Sequence, residues 1–125
     1  MDILELLVKV LGDAARRRKL VSYRRFHSCF SKESTLEDRY FLLGEAVKKL
    51  ANPRWIDYGA VLTLDNGLPG DEFFVRFRRL RRAEFEAVMG IGTCGRSVTK
   101  RRTLVEAERS RVFDHASERG IADEP

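Results

Sequence analysis

Arginine is the chemically capable residue that this sequence uses in runs. Of its 24 Lys and Arg side chains 18 are Arg, and 15 of the 24 fall in three windows that hold no acid. Residues 16–25 contain Arg16, Arg17, Arg18, Lys19, Arg24 and Arg25. Residues 76–82 contain Arg76, Arg78, Arg79, Arg81 and Arg82, and residues 96–102 contain Arg96, Lys100, Arg101 and Arg102. A guanidinium is a rigid fork that meets phosphate oxygens two at a time, so such runs point to an anionic partner. The other 101 residues carry 9 basic groups against all 19 acidic ones, so the net charge of +5 conceals an acidic body with concentrated basic segments.

Other reactive groups are sparse. Gly90-Ile91-Gly92-Thr93-Cys94-Gly95 fits G-x-G-x-x-G, and Gly90 to Ser97 fits a phosphate loop with Arg96 in place of lysine. Both devices need a strand feeding the glycines and a helix receiving the phosphate. A helix is expected before this loop and only 30 residues follow Gly95, so a flexible connector is the reading and no cofactor is assigned. Cys29 and Cys94 are isolated, and neither His27 nor His115 has a Cys or His at ligand spacing, so no metal site is read. Cys29 and His27, two apart on a helix, point away from one another and do not make a nucleophile pair. Cys29 reads as a small core residue. Asp71-Glu72 and Glu106/Glu108 read as helix-start preference and solvated faces. No catalytic group is assigned, and the protein is not read as an enzyme.

These groups must be positioned by one domain, since 125 residues allow a single core of useful size without disulfides or metal. With 43% apolar and 34% charged residues the chain is too apolar for disorder. It contains no run long enough to span a membrane. Met1-Asp2-Ile3-Leu4-Glu5 lacks the basic start of a signal peptide, which gives a cytoplasmic expectation.

Ile3 to Leu11 reads as helix 1, with Gly12 a stop signal and a basic continuation to Arg18. Ser22 is a cap for helix 2, in which Tyr23, Phe26, His27 and Phe30 share one face. Thr35 with Asp38 opens helix 3 by a variant capping box. Leu36, Tyr40, Leu43, Val47 and Leu50 form its stripe, and Asn52-Pro53 ends it. Tyr58 to Leu64 reads as a strand and Asp65-Asn66-Gly67 as a hairpin turn. Asp71 is expected to cap a helix bearing Phe73, Phe74, Phe77 and Leu80, with the arginines on its remaining surface. The stripe resumes with Phe85, Val88 and Met89. Thr103 with Glu106 opens a last helix, Leu104 to Arg119, that Gly120 stops. The single domain is placed at 1–120 and a frayed tail at 121–125. Trp55 and Tyr58, just after Pro53, fit either the core or a base-stacking platform.

Val21-Ser22-Tyr23 opening helix 2, Leu43-Gly44 within helix 3, Asn52-Pro53 ending it and the strand and turn beyond resemble the DNA-binding domain of the alkylguanine-DNA alkyltransferases and their inactive alkyltransferase-like relatives, over about residues 12–70. Helix, short strand, helix, helix and hairpin is the order of a winged helix-turn-helix, and with this resemblance the expected fold is α+β, a mostly helical winged helix-turn-helix with one β-hairpin and a C-terminal helical extension. It does not imply alkyl transfer. Tyr58-Gly59-Ala60-Val61 stands where that family has Pro-Cys-His-Arg, and Phe41 stands near its base-flipping arginine. Gly67-Leu68-Pro69-Gly70-Asp71-Glu72-Phe73-Phe74 also looks like a segment of small uncharacterised bacterial winged-helix proteins.

The functional expectation is therefore a non-catalytic regulator or accessory protein that contacts DNA phosphates. Arg16, Arg17, Arg18, Lys19, Arg24 and Arg25 form one expected strip, and Arg76, Arg78, Arg79 and Arg82 another. Arg39, Lys48 and Lys49 are the basic groups of helix 3, with Arg39 alone suited to base edges. Against the usual docking mode, Glu33, Glu37 and Asp38 surround the start of helix 3, and Asp65 sits at the turn. The alternative is a small protein-interaction module, of inhibitor, antitoxin or immunity type, that binds an acidic protein.

Overall fold

The computed structural model describes residues 1–93 and 95–123. Cys94 and the last two residues of the expected tail lie outside them. Helix α1 is Ile3–Arg16, and Asp2 caps it by accepting from the Glu5 amide at 2.8 Å. Its buried face is Leu7, Leu11, Gly12 and Ala15. Gly12 is thus inside the helix and does not stop it. A Cβ there would meet Leu50 Cδ2 at 3.4 Å, so the glycine allows α1 to lie close on the end of α3, Leu36–Leu50. The chain leaves α1 through Arg18, whose φ of 55° is the left-handed conformation of a helix end.

Strand β1 (Val21–Ser22) leads directly into α2 (Tyr23–His27), and Ser22 Oγ accepts from the Arg25 amide as expected. Thr35 Oγ1 caps α3 through the Asp38 amide at 3.1 Å, and α3 ends at Leu50 with Ala51 as its cap, before Asn52-Pro53. Leu43, Ala46, Val47 and Leu50 are buried. Leu36, the first residue of the expected stripe, is 60% exposed, because the opening turn of α3 projects beyond the core.

The expected strand at 58–64 is replaced by a 3-10 turn, Tyr58–Val61, followed by strand β2, Leu62–Thr63. The reason is local. Asp57 Oδ1 accepts from the Gly59 amide at 2.8 Å and Asp57 O from the Ala60 amide at 3.1 Å, which winds the run instead of extending it. β2 then pairs in parallel with β1, Val21 opposite Leu62 and Ser22 opposite Thr63. The expected β-hairpin is therefore corrected to a parallel pair with α2 and α3 as its crossover. The turn at Asp65-Asn66-Gly67 does reverse the chain, with Gly67 at φ 84° and Leu64 N donating to Leu68 O at 2.7 Å. No return strand follows, because Pro69 has no amide hydrogen and α4 begins two residues later.

Helix α4 (Asp71–Leu80) is capped by Gly70, so Asp71 is its first residue and not its cap. It breaks at Arg81 (φ −136°, ψ 55°) into α5, Arg82–Met89. The last helix, α6, is Val98–Asp123. It starts six residues before the expected Leu104, with Ser97 O accepting from the Arg101 amide, and Thr103 lies inside it donating to Thr99 O. It also runs through Gly120, which was expected to stop it. Leu104, Val105, Val112 and Ala116 of α6 close the core over Leu7, Leu43, Tyr58, Phe73, Phe77 and Phe85. The chain is thus α+β and mostly helical. Among the described residues no helix is long and apolar enough to cross a membrane.

Candidate nucleic-acid interface

A basic side chain can hold a phosphate only if it is exposed and no buried partner already holds it, and the arginines divide on that criterion. Arg76 was expected on the outer surface of α4. It is 9% exposed, and its fork closes on Asp57, Nε to Oδ2 at 2.7 Å and Nη2 to Oδ1 at 2.8 Å. Arg81 is buried at the α4–α5 break with its guanidinium 4.1 Å from the centre of the Phe77 ring. It donates to Glu108 at 2.6 and 2.9 Å. Glu108, read from sequence as part of a solvated face, is fully buried. It also accepts from the Asp57 amide at 2.7 Å and from Arg111 at 3.0 Å. Glu84 completes this network by accepting from Arg81 and Arg111. Burial works to raise the Glu84 carboxyl, and its bonds to Arg111 and Arg81 outweigh that and hold it below its usual range.

In the third basic window Arg96, Lys100 and Arg102 are exposed and Arg101 is half-buried. Arg101 donates to Gly95 O at 2.7 Å and to Asp71 at 3.0 Å, with its guanidinium over the Phe74 ring. Arg102 donates to Asn66 O and Lys100 to Met89 O. Arg109, outside the basic windows, ties α6 to the strand region by donating to Ala60 O, Leu62 O and Gly67 O at 2.7, 3.1 and 2.9 Å.

The first strip stays outside. Arg16, Arg17, Arg18, Lys19, Arg24 and Arg25 are all exposed. Arg16 pairs with Asp13 and Arg18 with Asp114 across the surface, contacts that hold long side chains only weakly. Arg25 donates to Ser28 Oγ at 3.3 Å. Arg17, Lys19 and Arg25 come together with Lys9 on a groove of about 620 Å³ between α1 and β1, floored by Leu6 and Val10. The groove contains one carboxylate, Asp13. Its slight burial opposes ionisation, but Lys9 and Arg16 more than compensate and lower its pKa.

On the α4–α5 side Arg78, Arg79 and Arg82 are exposed. Arg78 lies over the Phe85 ring at 5.7 Å, and Arg82 pairs with Glu86 on its own helix. Arg79 shares a separate depression with Lys48, Phe41 and Val75. On α3, Lys48 is 3.6 Å from Glu45, and Lys49 is exposed. Arg39 turns back to the protein: its guanidinium lies 3.2 Å from His27 Nδ1, donates to Ser31 O at 2.9 Å and sits over the Phe30 ring. The outer face of the α3 start therefore presents exposed Glu37 and Asp38 without an outward arginine.

The remaining candidates separate cleanly. Tyr58 is in the core, 1% exposed, with its hydroxyl 2.8 Å from His115 Nδ1, whereas Trp55 is 72% exposed. Cys29 is half-buried beside Arg25 O. Helices flank the 90–97 loop on both sides, so no strand feeds its glycines. Among the described residues no group of three or more His, Cys, Asp and Glu is placed to hold a metal. Sequence reasoning missed Asp57, Glu108, Arg81 and Arg109 as internal struts. Compared with protein-family models, curated proteins and solved structures, the chain has no match.

Proposed function

We propose that this protein is a non-catalytic nucleic-acid-binding regulator or accessory factor that holds DNA by its phosphates. One observation carries the reading: Arg17, Lys19 and Arg25 share a groove with Lys9, and its one carboxylate is already occupied. Arg24, exposed beside them, extends the strip. Residues 14–32 contain seven Lys and Arg and no Asp or Glu, so the acids that phosphates meet along this edge are Asp13, paired with Lys9 and Arg16, and Asp114, paired with Arg18. In this proposal α2 and α3 are a helix-turn-helix of winged-helix type, closed at its base by the β1–β2 pair. The acids at the start of α3 turn the duplex away from the usual recognition-helix docking and toward the groove between α1 and β1. Arg78, Arg79 and Arg82 are a secondary contact. Arg76 plays no part at the surface.

The test is a titration of duplex DNA at several salt concentrations. Four phosphate contacts give a slope of log affinity against log salt of about −3.6, and additional contacts steepen it. Dissociation constants in the micromolar range at about 50 mM salt support the proposal, and binding weaker than about 1 mM there rejects it.

A second reading has its own observation. Phe41 is 65% exposed and Val75 64% exposed in a depression that Lys48 and Arg79 also line, together with Glu45, paired with Lys48, and Glu72, which accepts from the Tyr23 hydroxyl. That arrangement suits a small module binding an acidic protein. Nuclease-resistant recovery of one stoichiometric acidic partner from native extract favours it, and loss of the partner on nuclease treatment counts against it.

A further inference from the structure

The most exposed aromatic ring among the described residues is that of Trp55. It stands on a turn that is firmly built. Pro53 is buried, the Trp55 and Ile56 amides both donate to Asn52 O at 2.9 and 3.0 Å, and the Arg54 amide donates to Asn52 Oδ1 at 3.0 Å. A ring held in water on a rigid mount forgoes the stabilisation that burying a large aromatic side chain ordinarily brings. Folding therefore does not account for its position.

The surroundings specify a ligand class. Trp55 lines a depression of about 500 Å³ with Leu80 and Ala83 as apolar surface and Arg54, Arg82 and Arg111 as cations. That volume lies within the range of small-ligand sites and accommodates a nucleotide. Glu84 is the one carboxylate there, and Arg81 and Arg111 already bind it. Arg54 has no side-chain partner among the described residues, and Arg82 is held only by an exposed i,i+4 pair, which a phosphate readily displaces. Among the described residues the Trp55 ring has no aromatic or cationic neighbour stacked on it. A flat π-face with exposed guanidinium groups around it is the arrangement that takes an unpaired base by stacking while cations hold the flanking phosphates.

We infer that Trp55 is a stacking platform for an unpaired nucleobase, with Arg54 and Arg82 holding the adjoining phosphates. This inference rests on the nucleic-acid reading above and deepens it: the protein grips duplex through the α1–β1 groove and single-stranded or extruded bases through Trp55. Every base offers a π-face, so the site discriminates strand state and not sequence.

The sequence supplies its own probe, because Trp55 is the only tryptophan in the chain. The full-length protein is titrated with single-stranded oligothymidine and, separately, with a blunt duplex of equal length. Tryptophan fluorescence and anisotropy of the labelled DNA are followed together. Saturable quenching by the single strand but not by the blunt duplex is expected. Trp55→Leu, which keeps an apolar side chain at an exposed position, weakens single-strand binding by about 5-fold to 100-fold and leaves duplex binding unchanged. Trp55→Phe, retaining a ring, restores part of the loss.

Five results bear against the inference or what lies beneath it. Single-strand binding without quenching, or undiminished in Trp55→Leu, overturns the platform while leaving the phosphate groove intact. Equal loss of duplex binding in Trp55→Leu overturns it too, by showing that the ring acts as general surface. No binding of either DNA removes both readings together. Intact DNA binding in Trp55→Leu with loss of a stoichiometric protein partner assigns Trp55 to a protein contact instead.

Discussion

Removing the Asp57 carboxylate should nearly unfold the protein, and restoring charge balance should rescue it. Asp57 is 1% exposed and accepts three hydrogen bonds, two from Arg76 at 2.7 and 2.8 Å and one from the Gly59 amide at 2.8 Å. Asp57→Ala leaves the Arg76 guanidinium, itself 9% exposed, without a counter-charge, a loss of about 3–5 kcal/mol. A domain of this length gains only about 5–15 kcal/mol from folding, so the variant loses about 10–20 °C of melting temperature. The double variant Asp57→Asn, Arg76→Met removes both charges and replaces them with groups of similar volume, and it should lose less than about 2 kcal/mol. Urea unfolding of Asp57→Ala, of the double variant and of its two singles, Asp57→Asn and Arg76→Met, completes a thermodynamic cycle. The reasoning is refuted if Asp57→Ala loses under about 1 kcal/mol, or if the double variant loses the sum of the singles. The first result would mean the pair is wet, and the second that the two groups do not interact.

Two further outcomes follow, one from the same pair and one from the Arg39–His27 contact. Gly59→Ala should destabilise strongly although its φ is ordinary, because the new Cβ collides with the Arg76 guanidinium and would lie 2.9 Å from Asp57 Oδ1; urea unfolding should place it near Asp57→Ala in stability. His27 is held below its ordinary pKa first by burial and then by the Arg39 guanidinium, with Glu72 opposing. The unfolded chain therefore takes up a proton near pH 6.5 that the native protein refuses, so the His27 contribution is present above that pH and is lost as pH falls through the native value. Unfolding midpoints measured from about pH 7.5 down to about pH 5 should decline less in His27→Gln than in the parent, and identical declines would contradict the Arg39–His27 contact.

What was legible in the sequence was local. Ser22 and Thr35 cap their helices and Pro53 ends α3, because each acts on amides within a few residues of itself. The parallel sheet was not legible, since it depends on Asp57 winding the segment that β-rich composition assigns to a strand. The internal arginines left a signal that charge alone concealed. Arg76 lies three residues after Phe73 and four before Leu80, on the buried side of α4, and Glu108 lies between Leu104 and Val112 on the buried stripe of α6. Charged residues at apolar positions mark buried partners, but which carboxylate meets which guanidinium is decided by tertiary packing 19 and 27 residues apart in the chain. The three basic runs thus divide into internal struts, Arg76 and Arg81, and exposed groups, of which Arg17, Lys19 and Arg25 gather at one groove.

The most direct test of the central claim compares salt slopes. Arg17→Gln, Lys19→Gln and Arg25→Gln together remove three cations of the α1–β1 groove, all three exposed, so the fold should survive. Duplex affinity measured across salt concentrations should then lose about 2.7 units of slope relative to the parent protein, about 0.9 for each phosphate contact. An unchanged slope, with the variant folded, would contradict the assignment of this groove to DNA phosphates.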